Sequence, residues 1–114
     1  MTTYYIYLMP YLRAGVVCYY TGYTNNPARR EHEHNTDPKD RHYHFCGRMH
    51  VVAMEKEDGQ WWVWSDGYAE PIETQKLAME AERVLKKATS YRKERFYVYA
   101  HEPEWKGHEV EGSP

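Results

Sequence analysis

The sequence predicts an α+β domain in which a small, mostly antiparallel sheet is flanked by helices. Three observations support this fold class: two β-prone runs near the N-terminus, a second pair of such runs separated by Asp58-Gly59, and one long segment with helical periodicity. Asp-Gly between β-prone segments is a strong hairpin signal. With 114 residues, the chain can form one hydrophobic core without disulfides or a structural metal.

The first two predicted strands cover residues 4–9 and residues 16–21. Aromatic and β-branched residues dominate both segments, which is typical of strands. Pro10 is expected to limit the first strand because proline cannot donate to a strand ladder. Residues 13–15 indicate a hairpin loop of several residues rather than a two-residue turn.

Two helices are predicted, one short and one long. Asn26 is a suitable N-cap and Pro27 suits the first helical position, so a helix is expected over residues 27–34. In residues 74–89 the apolar positions recur mostly at spacings of three and four, which predicts an amphipathic helix. Residues 36–49 show no periodicity and are predicted to be a loop.

The second predicted hairpin joins a strand over residues 49–55 to the Trp-rich residues 61–64, as an extra hairpin on the core. Residues 95–100 alternate in hydrophobicity and predict a short final strand. Residues 101–114 are charged and polar, with almost no apolar residues to bury. The folded domain is therefore assigned to residues 1–100 and the remainder is expected to be a disordered tail.

Composition argues against several classes of protein. A net charge of −2 argues against nucleic-acid binding through bulk charge, and no apolar run reaches the roughly 18 residues of a membrane span. The N-terminus lacks the basic region of a signal peptide, and two cysteines make no disulfide framework. We therefore predict an intracellular, cytoplasmic protein. Any basic footprint is local: residues 76–95 contain seven Lys or Arg and three Glu, a net +4.

Two tyrosine-containing motifs lie on the first two predicted strands, at Tyr5-Ile6-Tyr7 and Tyr20-Thr21-Gly22. Arg30 follows the second motif by eight residues, and His34 follows four residues later. Residues four apart share a helix face, so Arg30 and His34 can point into one pocket. The order and spacing of these residues resemble the GIY-YIG endonuclease superfamily, most closely its small stand-alone members.

The resemblance continues in the long predicted helix. The family places a metal-binding Glu four residues after an Ala and four before a Lys-Lys pair, and Ala78, Glu82 and Lys86-Lys87 fit this spacing. Glu80 is the nearby competitor and ranks below Glu82, because Ala78 and the Lys pair fix the register. The resemblance spans residues 4 to about 95.

The resemblance implies a metal-dependent endonuclease that hydrolyses DNA phosphodiester bonds, with a role in DNA repair or recombination. Tyr20 or Tyr7 would be the general base, Arg30 would hold the scissile phosphate, His34 would orient the base or relay its proton, and Glu82 would bind one Mg²⁺ or Mn²⁺. The choice between the two tyrosines stays open. The predicted substrate-binding residues are Gly22, Thr24, Asn26, Lys86, Lys87, Arg92 and Lys93.

The many histidines suggest zinc as an alternative. His32 and His34 cannot share one ion on a helix, because side chains two residues apart diverge by about 200°. His42 and His44 could bind together from an extended segment, but no cysteine pair completes a closed site. We leave the role of the His-rich residues 32–50 open.

Two other functions also stay open: a nucleic-acid-binding module of the same fold with weak or no catalysis, and a protein-interaction domain that uses the Trp-rich residues. A domain of this size offers little surface for base readout, so a homodimer or a protein partner is expected to supply specificity. DNA against RNA, the preferred substrate structure, the oligomeric state and the pathway are not specified by the sequence.

Overall fold

The computed structural model describes residues 2–64, 71–99 and 108–110. Their strands form one antiparallel sheet in the order β2-β1-β3-β4-β5, flanked by helices, which confirms the α+β class. The elements are β1 (Tyr5–Arg13), β2 (Val16–Thr24), α1 (Pro27–Thr36), a 3₁₀ helix (Pro38–Tyr43), β3 (His50–Glu57), β4 (Gln60–Trp64), α2 (Gln75–Lys86), α3 (Ser90–Tyr99) and β5 (His108–Glu109). Within the described ranges, no helix is long and apolar enough to cross a membrane.

The two faces of the sheet have different roles. Strand alternation sends Ile6 and Leu8 to one face, where they join the main core with Ala78, Ala81 and Leu85 of α2. It sends Tyr7 to the opposite face, where the side chain is also almost completely buried, at 1 % exposed. Burial on both faces explains the nearly continuous apolar run of β1. The face that carries Tyr7 contains the candidate site.

The β1–β2 hairpin is tighter than predicted. Strand β1 continues through Pro10, whose carbonyl accepts from the Cys46 N–H at 3.0 Å, and Arg13 pairs with Val16. The several-residue loop is therefore wrong, and the turn consists of two residues with positive φ, 51° and 78°. Such φ values are those of a type I′ turn, which usually carries Asn-Gly or Asp-Gly. Ala-Gly is a weaker sequence signal for the same geometry.

The predicted strand over residues 95–100 is wrong, because residues 90–99 form α3. The Thr89 hydroxyl accepts from the Arg92 N–H at 3.2 Å near the start of this helix. In a strand Phe96 and Val98 would point the same way, whereas on a helix they diverge by about 200°. Phe96 is 3 % exposed in the core and Val98 is 50 % exposed, so the apparent alternation was a coincidence.

The other helix boundaries differ by a few residues from those predicted. Helix α1 extends to Thr36, and α2 begins after its N-cap Thr74 and ends at Lys86. The loop predicted over residues 36–49 contains the 3₁₀ helix. Its start is capped by the Asp37 carboxylate, which accepts from the Lys39 N–H at 2.9 Å.

The Trp-rich segment belongs to the main sheet. Strands β3 and β4 pair antiparallel, with Ala53 opposite Trp64, and β4 lies between β3 and β5. A separate, extra hairpin is therefore not observed in the described residues.

Residues 108–110 form part of the fold although they lie in the segment that was predicted to be disordered. Val110 is 1 % exposed, and its N–H donates to the Trp61 carbonyl at 3.0 Å. A single buried valine hardly changes the average composition of a polar segment, so composition did not predict it. Residues 101–107 and 111–114 lie outside the described residues, and the domain boundary at residue 100 stays a prediction.

Candidate active site

Tyr7 and the second tyrosine motif are brought together by the register of β1 and β2. Tyr7 lies opposite Gly22, and a Cβ atom on Gly22 would be only 2.5 Å from Tyr7 Cζ. Only glycine leaves room for the phenol ring, so steric exclusion explains why this position of the motif is a glycine. The Tyr20 ring lies on the same face, stacked at 6.1 Å between ring centroids from that of Tyr7.

His34 lies between two polar groups in the buried part of the site. The Tyr7 hydroxyl is 2.8 Å from His34 Nε2, and Asp40 Oδ2 is 3.2 Å from His34 Nδ1. The Tyr20 ring packs edge-on against the imidazole, at 4.8 Å between centroids. Burial, assisted by the nearby Arg30 charge, lowers the pKa of His34 although Asp40 opposes the shift. His34 is therefore neutral near pH 7 and has one nitrogen free to accept a proton.

Arg30 completes the group formed by the two tyrosines and the histidine. Its side chain is 29 % exposed and lies 3.8 Å from the Glu33 carboxylate. Burial alone would lower the pKa of Arg30, but its interactions with Tyr7 and Tyr20 outweigh burial and raise that pKa. The guanidinium thus lies beside both phenols, while its partial exposure leaves it accessible to an anion from solvent.

The pKa of Tyr7 is raised well above its ordinary value. Burial is the main cause and Tyr20 adds to it, whereas Arg30 acts in the opposite direction. At neutral pH the Tyr7 phenol is therefore protonated.

Glu82 lies on α2 and is linked to the site electrostatically. Its charge contributes to the raised pKa of Tyr7. Burial raises the pKa of Glu82 itself, with Lys86 opposing the shift. In the described part of the chain Glu82 makes no hydrogen bond or ion pair, whereas Glu80 accepts from the Lys56 ammonium and from Trp61 Nε1.

Within the described ranges, the partly buried Glu82 carboxylate has no protein partner that would compete with a cation. A half-buried carboxylate without a protein partner suits Mg²⁺, which often takes one or two protein carboxylates and completes its shell with water and phosphate oxygens. Among the residues that the structure describes, no group of three or more His, Cys, Asp or Glu is arranged to hold a metal ion. The donor set fits an ion shared with substrate rather than an ion enclosed by protein.

Two of the predicted substrate-binding residues have local structural roles. The Thr24 hydroxyl accepts from the Asn26 N–H at 3.1 Å, and the Asn26 side chain caps α1 by accepting from the Arg29 N–H at 3.1 Å. These contacts fix where α1 leaves the sheet and therefore where Arg30 lies. Substrate contact by these residues stays a prediction.

The basic residues predicted to bind substrate near α2 and α3 differ in burial and in their contacts. Burial lowers the pKa of Lys93, and the charge of Lys86 adds to this effect. Lys87 is exposed. Arg92 is half-buried and donates to the Val110 carbonyl at 3.5 Å, so it also supports the fold. Contacts of Lys86, Lys87, Arg92 and Lys93 with a phosphate backbone stay predictions.

Two residues that contact the histidine were not predicted from the sequence: Asp40 and Phe45. The Phe45 ring packs on the imidazole at 4.9 Å from the His34 ring, and the Tyr43 ring packs on that of Tyr20 at 5.1 Å. Asp40, Tyr43 and Phe45 all lie in the segment predicted to be a loop, and Phe45 lies just beyond the 3₁₀ helix. The available signal was Asp37-Pro38, a capping residue followed by a proline at the first helical position.

Replacing Gly22 by Ala should displace the Tyr7 hydroxyl and remove most of any catalytic activity of the site. The control is Gly47→Ala, where a Cβ atom would lie 2.6 Å from Pro10 Cγ, on the face of β1 away from Tyr7. Both variants should lose thermal stability, but only the Gly22 variant should change the Tyr7 and His34 environments in NMR spectra. Equal perturbation of His34 by both variants would contradict this explanation.

The fold and the arrangement of Tyr7, Tyr20, Arg30 and His34 are consistent with phosphodiester hydrolysis. The family model described as the GIY-YIG catalytic domain matches residues 3–95, which is most of the sequence, and the chain therefore belongs to the GIY-YIG family. Membership indicates an endonuclease and implies DNA as the substrate, and the family generally uses a divalent metal ion. No curated protein and no solved structure matched the chain.

Proposed function

We propose that this domain is a metal-dependent endonuclease that cleaves DNA with Tyr7 as the general base and His34 as the acceptor of the Tyr7 proton. The observation that carries the proposal is the 2.8 Å hydrogen bond between the Tyr7 hydroxyl and His34 Nε2. Tyr20, by contrast, contacts the imidazole through its ring. This difference favours Tyr7 over Tyr20 as the base.

The raised pKa of Tyr7 determines the form of the proton transfer. A stable phenolate is not available at neutral pH, so Tyr7 passes its proton to Nε2 of neutral His34 as it accepts a proton from the attacking water. The hydroxide formed makes the new bond to phosphorus, and the bond from phosphorus to the leaving oxygen breaks. The proton from water thus ends, in effect, on His34, and the leaving oxygen takes a proton from solvent.

Arg30 would hold the scissile phosphate during this reaction. A guanidinium can donate two parallel hydrogen bonds to phosphate oxygens and stabilises the charge that develops on them. Its position beside Tyr7 and Tyr20 would place the phosphate next to the base. Glu82 would bind one Mg²⁺ or Mn²⁺, which when bound would offset negative charge on the phosphate and the leaving oxygen.

Cleavage of supercoiled plasmid and of labelled oligonucleotides, with Mg²⁺ added or chelated, tests the proposal. We expect cleavage only with the metal present. Binding without cleavage under any metal condition would favour the nucleic-acid-binding module, and absence of both would favour the protein-interaction domain. A role in DNA repair or recombination, and a homodimer or partner that supplies specificity, stay predictions.

DNA binding measured without metal should weaken as salt increases. The slope of log K against log salt is about −0.9 for each phosphate neutralised, so a few cations give a modest slope. Replacing both Lys86 and Lys93 by Gln should reduce the slope by up to about 2. Lys56→Gln is the control, because Lys56 on β3 is already paired with Glu80 on α2. This variant should leave the slope unchanged. A DNA affinity that does not change with salt concentration would contradict phosphate contacts.

A further inference from the structure

We propose that Asp40 is a positioning residue for this reaction: its carboxylate accepts the Nδ1–H of His34 and thereby leaves Nε2 free to accept the proton of Tyr7. The proposal rests on the proposed function, because it assigns the group that prepares His34 for its part in the proton transfer. Asp40 itself contacts neither water nor phosphate in this scheme, and it acts through His34.

The geometry fixes the direction of both hydrogen bonds of the imidazole. The His34 side chain is 0 % exposed and that of Asp40 is 15 % exposed, with 3.2 Å between Nδ1 and Oδ2. A neutral imidazole has one donor nitrogen and one acceptor nitrogen, and a carboxylate can only accept. The proton therefore lies on Nδ1, Nε2 carries the lone pair, and the Tyr7 hydroxyl donates to it across 2.8 Å.

The opposite tautomer would be costly in this site. It would direct the lone pair of Nδ1 at the Asp40 carboxylate inside a buried pocket, where electrostatic repulsion is poorly screened. It would also turn Nε2 into a donor toward Tyr7, so that the phenol had no acceptor for its proton on His34. Asp40 thus selects the one tautomer in which Tyr7 can act as the base.

Hydrogen bonds hold Asp40 in place independently of His34. The Asp37 N–H donates to the Glu33 carbonyl at 2.7 Å and links α1 to the 3₁₀ helix, and the Asp40 N–H donates to the Asp37 carbonyl at 3.0 Å. The Asp37 side chain caps the same helix through the Lys39 N–H. Orientation of a reacting group by a fixed outer partner is what a precise site requires.

Asp40 also stabilises the product of the proton transfer. When Nε2 accepts the proton, His34 becomes an imidazolium, and its bond to the carboxylate becomes charge-assisted. The charged groups that face His34 are Arg30 and Glu33 of α1 and Asp40 of the 3₁₀ helix; Tyr7 and Tyr20 face it from the sheet. Arg30 opposes the imidazolium, whereas Asp40 bonds it directly.

Asp40→Asn and Asp37→Asn form a matched pair for the test. Each removes one negative charge, from the 3₁₀ helix or from its N-cap, with almost no change in volume, but only Asp40 hydrogen-bonds to His34 in the described structure. We expect Asp40→Asn to lower kcat by at least about tenfold, and by as much as the roughly 10⁴-fold known for the equivalent change in a Ser-His-Asp triad. KM and metal-free DNA affinity should change less than about twofold. Asp37→Asn should keep kcat within about threefold of the wild type, because the asparagine side chain can still accept from the Lys39 N–H and cap the helix.

The ring ¹⁵N chemical shifts of His34, measured in the metal-free protein without DNA, provide a second readout. We expect the Nδ1–H tautomer in the wild type and in Asp37→Asn, and loss of that preference in Asp40→Asn. An Nε2–H tautomer in the wild type would overturn the proposal even if the Asp40 variant failed to fold. Because this measurement needs no cleavage, it separates failure of the Asp40 assignment from failure of the proposed function.

The kinetic effect must also depend on His34. In a His34→Gln background, Asp40→Asn should cause little further loss of kcat, because the two residues act as one unit. Equal losses in Asp37→Asn and Asp40→Asn, or full additivity of the His34 and Asp40 losses, would assign the effect to the loop as a whole and overturn the positioning role.

Discussion

Replacing Tyr7 by Phe should lower turnover by about 10²- to 10⁴-fold, the usual contribution of a general base, while DNA affinity with metal present is retained. The change removes only the hydroxyl, so the ring still fills the space beside Gly22. It leaves the buried Nε2 of His34 without its 2.8 Å partner, and we expect a lower melting temperature as well. Steady-state cleavage and binding measured on the same folded preparation check both effects.

Tyr20→Phe is the matched comparison, because Tyr20 stacks on the same ring system but contacts His34 through its ring. It should lose less turnover than Tyr7→Phe. A larger loss for the Tyr20 variant would make Tyr20 the base. Two variants that both cleave at the wild-type rate would rule out the tyrosine mechanism altogether.

The pH profile of the wild type gives an independent check on this mechanism. His34 must be neutral to accept the proton, so turnover should rise with pH through the His34 pKa. Burial and Arg30 place that pKa below the ordinary value of about 6.5. The acid limb should therefore lie below pH 6.5 and be absent from the residual activity of His34→Gln. An acid limb above neutral pH would contradict a neutral, buried His34.

Replacing Glu82 by Ala should abolish metal-dependent cleavage with little loss of stability. In the described residues its half-buried carboxylate has no hydrogen-bond partner, and burial raises its pKa, so removing it relieves a desolvation cost rather than breaking a contact. Cleavage should not return at high Mg²⁺ or Mn²⁺ concentration if Glu82 is the protein ligand. Titration of cleavage against metal concentration measures this.

Glu80→Ala is the control for the same helix and should show the opposite pattern. Glu80 accepts hydrogen bonds from Lys56 and Trp61, so its loss should lower the melting temperature while metal-dependent cleavage continues. If Glu80→Ala abolished cleavage and Glu82→Ala retained it, the metal ligand would have to be reassigned to Glu80.

The sequence predicts much of the candidate site because these residues are placed by local geometry. Two adjacent strands and the capped helix that follows them position Tyr7, Tyr20, Arg30 and His34, and the spacing of each residue is visible in the chain. The steric role of Gly22 also follows from the hairpin register, which places Gly22 opposite Tyr7. For these residues the structure brings together what the motif spacing indicated.

The other parts of the fold and site depend on tertiary packing, which the periodicity of the sequence does not indicate. Asp40 reaches His34 because a short 3₁₀ helix turns the chain back toward α1; Asp37-Pro38 signals the start of that helix but not the direction in which it turns. Phe96 and Val98 alternated as in a strand, yet one entered the core and the other did not. Val110 is a single apolar residue in a polar segment and becomes a core residue through contacts across the sheet.

Every side chain in the proposed proton transfer lies within residues 7–40, whereas Glu82 comes from α2, a further 42 positions along the chain. Closing a longer stretch of chain costs more entropy, and contacts between nearby residues form faster. The acid–base half of the site should thus assemble early in folding, and the carboxylate should join it only when α2 docks. A substitution at Glu82 therefore changes no side chain of the proposed proton transfer, and it acts on Tyr7 only through the loss of a nearby charge.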